Sequence, residues 1–168
     1  MTNPGHWVTA FARQSDADFR AWERYGQYPA ALVSECHRLL LLQMACEKLC
    51  KGYLIDRGAP PDSVQTSHGF IANPLPVVIR EELRRRGVST AQMKAILKKV
   101  RHLAAEIELL SPSVDRDGRR PDNCEYPWAV GDRVLSPLDQ TFAAKALCEE
   151  HMGRTFLKLL RAAISNLL

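Results

Sequence analysis

The residues best suited to chemistry lie in one loop, which runs from Asp115 to Trp128. This loop combines arginines, carboxylates, an amide and two aromatic rings. Arginine forks can grip phosphate, and exposed rings can stack on nucleobases. The composition therefore favours a phosphate- or base-binding surface, and the alternative is a loop held by its own Arg–Asp pairs with its rings packed on the fold. The predicted binding residues are Arg116, Arg119, Arg120, Asn123, Tyr126 and Trp128, together with Lys98 from the preceding basic segment.

The positive charge of the chain is concentrated beside this loop. The net charge of +4 is small for 168 residues. Residues 80–120, however, hold eleven basic and six acidic side chains, a balance of +5, so the rest of the chain carries −1. Such a segment is either a solvated helix face or a surface that contacts phosphates. Its densest pieces are Arg84–Arg86, Lys98-Lys99 with Arg101, and Arg116 with Arg119-Arg120.

Catalytic residues are harder to identify than binding residues. The chain has no glycine-rich phosphate loop, no nucleophile elbow and no helix with two metal-binding histidines. Of the five dispersed histidines, His68 has the most freedom to act, because it lies in a predicted loop beside Gly69. The catalytic candidates are accordingly His68, Arg120, Glu125 and Tyr126.

The five cysteines indicate buried thiols rather than a metal centre. Cys46 and Cys50 share one face of a predicted helix, but no second ligand pair follows at similar spacing. We therefore expect no metal site and no cofactor. An odd number of cysteines and an N-terminus without a basic-then-apolar stretch predict a reducing cytoplasm. The longest apolar run, Leu39–Leu42, is too short for a bilayer, so no membrane association is expected.

The hydrophobic spacing predicts an all-α fold, an antiparallel four- to five-helix bundle with one long loop before the last helix. Residues 1–168 are expected to form a single domain, in which residues 1–26 are an N-terminal extension with a short helix. No strand pattern is visible, and residues 111–136 are expected to be irregular. The predicted helices run from Ser15 to about Gly26, Pro29 to about Asp56, Pro74 to Arg86, Ser89 to about Leu110, and Ser136 to the end.

One helix carries a recognisable pattern. The stretch Ala45-Cys46-Glu47-Lys48-Leu49-Cys50-Lys51-Gly52-Tyr53-Leu54, followed by Gly58 and His68, resembles the HEPN superfamily (higher eukaryotes and prokaryotes nucleotide-binding domain). The loop with Asn123 and Glu125–Trp128 lies where such proteins often have an Arg-Tyr segment. The resemblance covers about residues 27–166. It implies an antiparallel helical bundle, often homodimeric, in prokaryotic defence or toxin–antitoxin systems.

Many proteins of this superfamily are metal-independent ribonucleases, in which an arginine precedes a histidine by a few residues. Here no histidine has an arginine five, six or seven positions before it, and Arg119 and Arg120 are followed by no histidine until His151. Two hypotheses result. The first is a non-catalytic HEPN-like module that binds RNA, a nucleotide or a protein partner. The second is a divergent ribonuclease or toxin that uses Arg119 or Arg120 with Glu125, Tyr126 or His68.

Overall fold

The chain is predominantly α-helical, as the sequence predicts, and its helices are compatible with a bundle. The structure, a computed structural model, describes residues 3–29, 31–66, 69–114 and 122–168. Five helices have twelve residues or more: α1 (Pro4–Tyr25), α2 (Glu35–Asp56), α4 (Pro74–Arg85), α5 (Thr90–Glu108) and α7 (His151–Leu167). Two shorter helices, α3 (Pro61–Gln65) and α6 (Ala143–Glu149), connect them.

Helix α2 is the centre of the bundle. Its sequence is apolar on nearly all sides, which predicts a position in the centre of a bundle or at a subunit interface, and within the chain it packs against α1, α3, α4, α5 and α7. The helix begins after Ser34, which has extended backbone angles, rather than at Pro29 as predicted. The thiols of Cys46 and Cys50 are completely buried in this helix, as their shared face predicts.

The Glu-Lys pattern of α2 has structural contacts. Glu47 pairs with Lys51 at 2.7 Å, and both side chains are almost completely buried. Lys51 also donates to the Gln65 carbonyl at 3.3 Å, next to α3. Lys48 pairs with Asp18 of α1 at 2.5 Å, again with little exposure. Each of these charges has a partner that compensates its desolvation, so the pattern holds neighbouring elements against α2.

Helix α1 is longer than the predicted short helix. It begins at Pro4, after Asn3 caps it by accepting a hydrogen bond from the Gly5 amide at 2.9 Å. The prediction that Ser15 begins the helix is wrong. Ser15 is completely buried in its middle and donates to the Ala45 carbonyl at 2.7 Å. The hydroxyl of Ser15 hydrogen-bonds to a carbonyl of α2 instead of to an amide at the start of its own helix.

Helices α4 and α5 agree closely with the prediction. Pro74 occupies the first turn of α4, where its missing amide costs nothing. Ser89 caps α5 by accepting a hydrogen bond from the Gln92 amide at 3.4 Å. Apolar residues at helical spacing form the buried face of α5, which consists of Leu97, Val100, Leu103, Ala104 and Ile107.

The region before the last helix contains more structure than predicted. A short antiparallel hairpin joins β1 (Trp128–Val130) to β2 (Arg133–Leu135) through the turn Gly131-Asp132. Gly131 has φ of +62°, which suits the first position of a two-residue hairpin turn. Strands of three residues are too short to produce a readable alternation, so the sequence did not reveal them.

The single final helix predicted from Ser136 is also wrong. The Ser136 hydroxyl caps only a 3-10 turn over Pro137–Asp139, and the chain is extended again at Gln140. Helices α6 and α7 then follow, separated by Glu150 with ψ of 159°. The backbone is extended at Phe142, and the ring of this residue is completely buried in the core. Helix propensity does not include the free energy gained by such burial, so it does not predict this break.

Candidate functional site

The loop proposed as the binding site is fixed to the end of α5. The Cys124 amide donates to the Leu110 carbonyl at 2.9 Å. One residue earlier, Asn123 is buried, and its Oδ1 accepts hydrogen bonds from the amides of Glu125 and Tyr126, both at 2.8 Å. This is an Asx turn, which sets the backbone direction of the next residues. Asn123 therefore shapes the loop, and the ligand-binding role predicted for it stays a prediction.

The two rings of the loop have different environments. Trp128 is buried and begins β1. Tyr126 is 61% exposed. Only Tyr126 can therefore offer an open ring face to a base, and the stacking role predicted for Trp128 does not fit its burial. Glu125 is also exposed.

Several predicted site residues cannot be placed relative to these. Arg116, Arg119, Arg120 and His68 lie outside the described residues. The convergence of an arginine with Glu125, Tyr126 or His68, on which the ribonuclease hypothesis depends, therefore stays a prediction.

Lys98, the remaining predicted binding residue, belongs to a row of cations on α5. Lys94, Lys98 and Arg101 recur every three or four residues, so they form one stripe along the helix. All three are exposed, and no carboxylate of the described residues lies within 4.0 Å of them. Glu108, the acid on the same side near the end of the helix, accepts hydrogen bonds from the Ile71 and Ala72 amides. We call Lys94, Lys98 and Arg101 the basic stripe.

The other described arginine run is different in kind. Glu82 is buried and pairs with Arg86 at 2.7 Å and with Arg85 at 3.4 Å. A single buried carboxylate thus pairs with two of the three guanidinium groups of Arg84–Arg86, and both of these side chains stay about half exposed. Although the sequence presents both runs as equivalent, the described structure leaves uncompensated charge mainly on α5.

Neither a metal centre nor a membrane span is found in the described part of the chain. Its histidines, cysteines and carboxylates form no group of three suited to hold a metal ion. None of its helices combines the length and the apolar character needed to cross a bilayer. The cysteines are all buried. Burial raises the pKa of the Cys148 thiol to about 12 and raises the pKa of Cys46, Cys50 and Cys124, so these thiols are poor nucleophiles and ligands.

The described structure also contains a cavity that the sequence does not predict. It has a volume of about 390 Å³ and lies between the end of α1, the start of α2 and the α6–α7 junction. Trp22, Tyr25 and Tyr28 contribute rings, and Arg38, Lys145 and Arg154 contribute cations. These residues are spread over more than 130 positions, so no local motif signals them. Trp22 and Tyr25 do carry a sequence signal, because they follow Phe19 at helical spacing.

Comparisons with known proteins do not identify a relative. No family model, no curated protein and no solved structure matches the chain.

Proposed function

We propose that this chain is a non-catalytic, HEPN-like helical-bundle module that binds single-stranded RNA through the basic stripe and Tyr126. The observation that carries the proposal is the stripe itself. Lys94, Lys98 and Arg101 are exposed, aligned and without a carboxylate partner among the described residues. Cations of this kind are free to replace the counterions of a phosphate backbone, which is the main source of affinity for nucleic acids.

The position of the loop supports the same proposal. The hydrogen bond from Cys124 to Leu110 fixes the loop at the C-terminal end of α5. At a rise of about 1.5 Å per residue, Arg101 lies only about 10 Å along the axis from the last residue of α5, Glu108. A single strand that follows the stripe therefore reaches a region where an exposed tyrosine can stack on a base. Stacking tolerates every base, so we expect little sequence preference.

Fluorescence anisotropy with a labelled single-stranded RNA tests the proposal. We expect binding at low salt that weakens steeply as salt is added. Replacing the stripe by Lys94→Gln, Lys98→Gln and Arg101→Gln is expected to lower affinity more than about tenfold, and Tyr126→Ala to lower it by about fivefold or more.

The matched control removes the same formal charge from another helix. Arg13, Arg20 and Arg24 are exposed on α1 and recur along one side of it. Their triple replacement by Gln is expected to change affinity by less than about threefold, since only cations near the strand release counterions. Equal losses in both triple variants would show that net charge, rather than the stripe, governs binding. Absence of binding at low salt would reject RNA and leave a protein-partner module.

Other parts of the HEPN hypothesis stay predictions. Homodimerisation is expected from the resemblance and is checked by light scattering of the full chain. A cytoplasmic location and a role in a defence or toxin–antitoxin system are likewise proposed from the resemblance and the cysteine pattern.

A further inference from the structure

The cavity between α1, α2 and the α6–α7 junction has the chemistry of a small-molecule site. Its volume of about 390 Å³ falls within the range of ordinary ligand pockets. Its wall combines aromatic rings with charged side chains, and it lies on elements other than α5. It is therefore separate from the basic stripe and does not depend on RNA binding.

The rings of Trp22, Tyr25 and Tyr28 form an apolar wall of the cavity, and their solvent exposure increases in this order. Trp22 is buried and stacks against Phe19, with ring centroids 5.2 Å apart, so it is a fixed part of the core. Tyr25 and Tyr28 are 38% and 49% exposed, and their ring centroids are 6.3 Å apart. Their planes are inclined by 55°, so a planar ligand can stack on one ring while the other ring contacts its edge.

Two arginines of the cavity are oriented without being neutralised. Arg38 donates from Nε to the Trp22 carbonyl at 3.3 Å, and its guanidinium lies 4.9 Å from the centroid of the Trp22 ring. Arg154 donates from Nη1 to the Glu149 carbonyl. No carboxylate of the described residues pairs with either guanidinium. Each arginine thus uses one nitrogen to fix its position and keeps further N–H donors for an anion.

The other charges of the cavity leave a positive balance. Lys145 pairs with Glu35 at 3.1 Å and lies 3.9 Å from the exposed Glu149. The hydrogen bond and the charge of Glu35 raise the pKa of Lys145, so this lysine stays protonated at neutral pH. Three cations therefore face two carboxylates, and both carboxylates lie nearest to Lys145.

We propose that this cavity binds a small ligand that joins a planar ring to one anionic group, with the ring against Tyr25 and Tyr28 and the anion held by Arg38 and Arg154. Nucleoside monophosphates and aromatic carboxylates share this chemistry. The phosphate or carboxylate accepts hydrogen bonds from both guanidinium groups, and the ring replaces water at the tyrosine faces.

Calorimetric titration of the full chain with AMP and with indole-3-acetate tests the proposal and distinguishes a phosphate from a carboxylate ligand. At least one of them is expected to bind with a dissociation constant below about 1 mM. The parts of the better probe, adenosine with inorganic phosphate or indole alone, are expected to bind at least about tenfold more weakly, because each satisfies only one half of the site.

Variants that leave the core intact then locate the binding. Arg154→Gln and Tyr28→Ala change exposed side chains and are each expected to weaken binding by about fivefold or more. Lys158→Gln, which removes an exposed cation one turn further along α7, and the triple stripe variant are expected to bind as the wild type does. Failure of both probes to bind at about 1 mM, or binding insensitive to both Arg154→Gln and Tyr28→Ala, would overturn the proposal.

Discussion

Asn166 donates a hydrogen bond from Nδ2 to Glu82 Oε2 across 2.8 Å and thereby joins the last turn of α7 to α4. The same carboxylate accepts from Arg86 at 2.7 Å on its other oxygen. The buried carboxylate of Glu82 therefore binds two arginines at the C-terminal end of its own helix, Arg85 and Arg86, and the side-chain amide of Asn166 near the end of the chain. Two arginines of the run Arg84–Arg86 therefore contribute to the packing of the fold through Glu82.

Removal of the Glu82 carboxylate is expected to destabilise the fold. Glu82→Ala leaves the Asn166 amide, Arg85 and Arg86 without their common acceptor, and we expect the free energy of unfolding to fall by about 1–3 kcal/mol. Arg84→Ala is the matched control, because Arg84 is exposed and has no carboxylate partner among the described residues. Its effect should stay within about 0.5 kcal/mol. Urea unfolding measures both, and equal effects would contradict a structural role for Glu82.

The junction of α6 and α7 depends on Gly153. A Cβ at this position would lie 2.0 Å from the Leu147 carbonyl oxygen and 2.6 Å from that of Cys148. Because these obstacles are backbone atoms, Gly153→Ala forces the two helices apart and is expected to cost about 1–3 kcal/mol or more. Gly69→Ala is the control, since nothing lies within 4 Å of a Cβ there. Thermal unfolding that ranks the two variants equally would contradict the close approach.

The buried thiols predict a loss of stability at alkaline pH. The pKa of Cys148 is about 12 in the folded protein, against an ordinary value of 9.0, because burial disfavours the thiolate. Above pH 9 the unfolded chain loses this proton while the folded chain keeps it, so the free energy of unfolding should fall as the pH rises from 9 toward 12. Urea unfolding at pH 7 and pH 10 measures the decline. A Cys148→Ala variant, already weaker at pH 7, should show a smaller decline, and an equal one would contradict the assignment.

Thiol accessibility gives a second readout of the same burial. Native protein at pH 8 is expected to react far more slowly with an aromatic disulfide reagent than protein unfolded in urea, in which all five cysteines should react. Rapid labelling of even one thiol in the native protein would show an accessible cysteine.

The salt dependence of RNA binding counts the cations that contact phosphate. For single strands each such cation contributes about 0.7 to the slope of log K against log salt, so the triple stripe variant should lose about 2. The triple variant of α1 should leave the slope unchanged. A stripe variant with lower affinity but an unaltered slope would indicate an indirect effect on the fold.

Purified protein is expected to leave RNA intact, because no histidine follows an arginine at the spacing of the HEPN ribonucleases. Incubation with total RNA, analysed on a denaturing gel, checks this. Cleavage that is lost in Arg120→Ala or Glu125→Ala would instead establish the ribonuclease hypothesis. Tyr126→Ala and Arg120→Ala also separate the two functions, since a binder loses affinity without any change in RNA integrity.

Local sequence patterns were sufficient to predict the class of fold and the burial of α2. The bounds of α4 and α5 were predicted closely, because Pro74 in the first turn of α4 and the cap Ser89 of α5 are local signals that act within one turn. The apolar periphery of α2 indicated burial on all sides, because a helix of that composition has no solvent-exposed face to offer.

Which charges and rings are available for binding depends on packing between residues that are distant in the sequence. The local sequence pattern predicted that helices begin at Ser15 and Ser136 and that the ring of Trp128 stacks on a base. Long-range packing instead gives Ser15 a carbonyl of α2, limits the Ser136 cap to one turn and buries Trp128. Likewise, Arg85 pairs with Glu82 while no described carboxylate pairs with Lys98, although the two side chains have the same charge. Whether a charge is paired depends on the distance in space to an opposite charge, and this distance cannot be read from the spacing of residues along the chain.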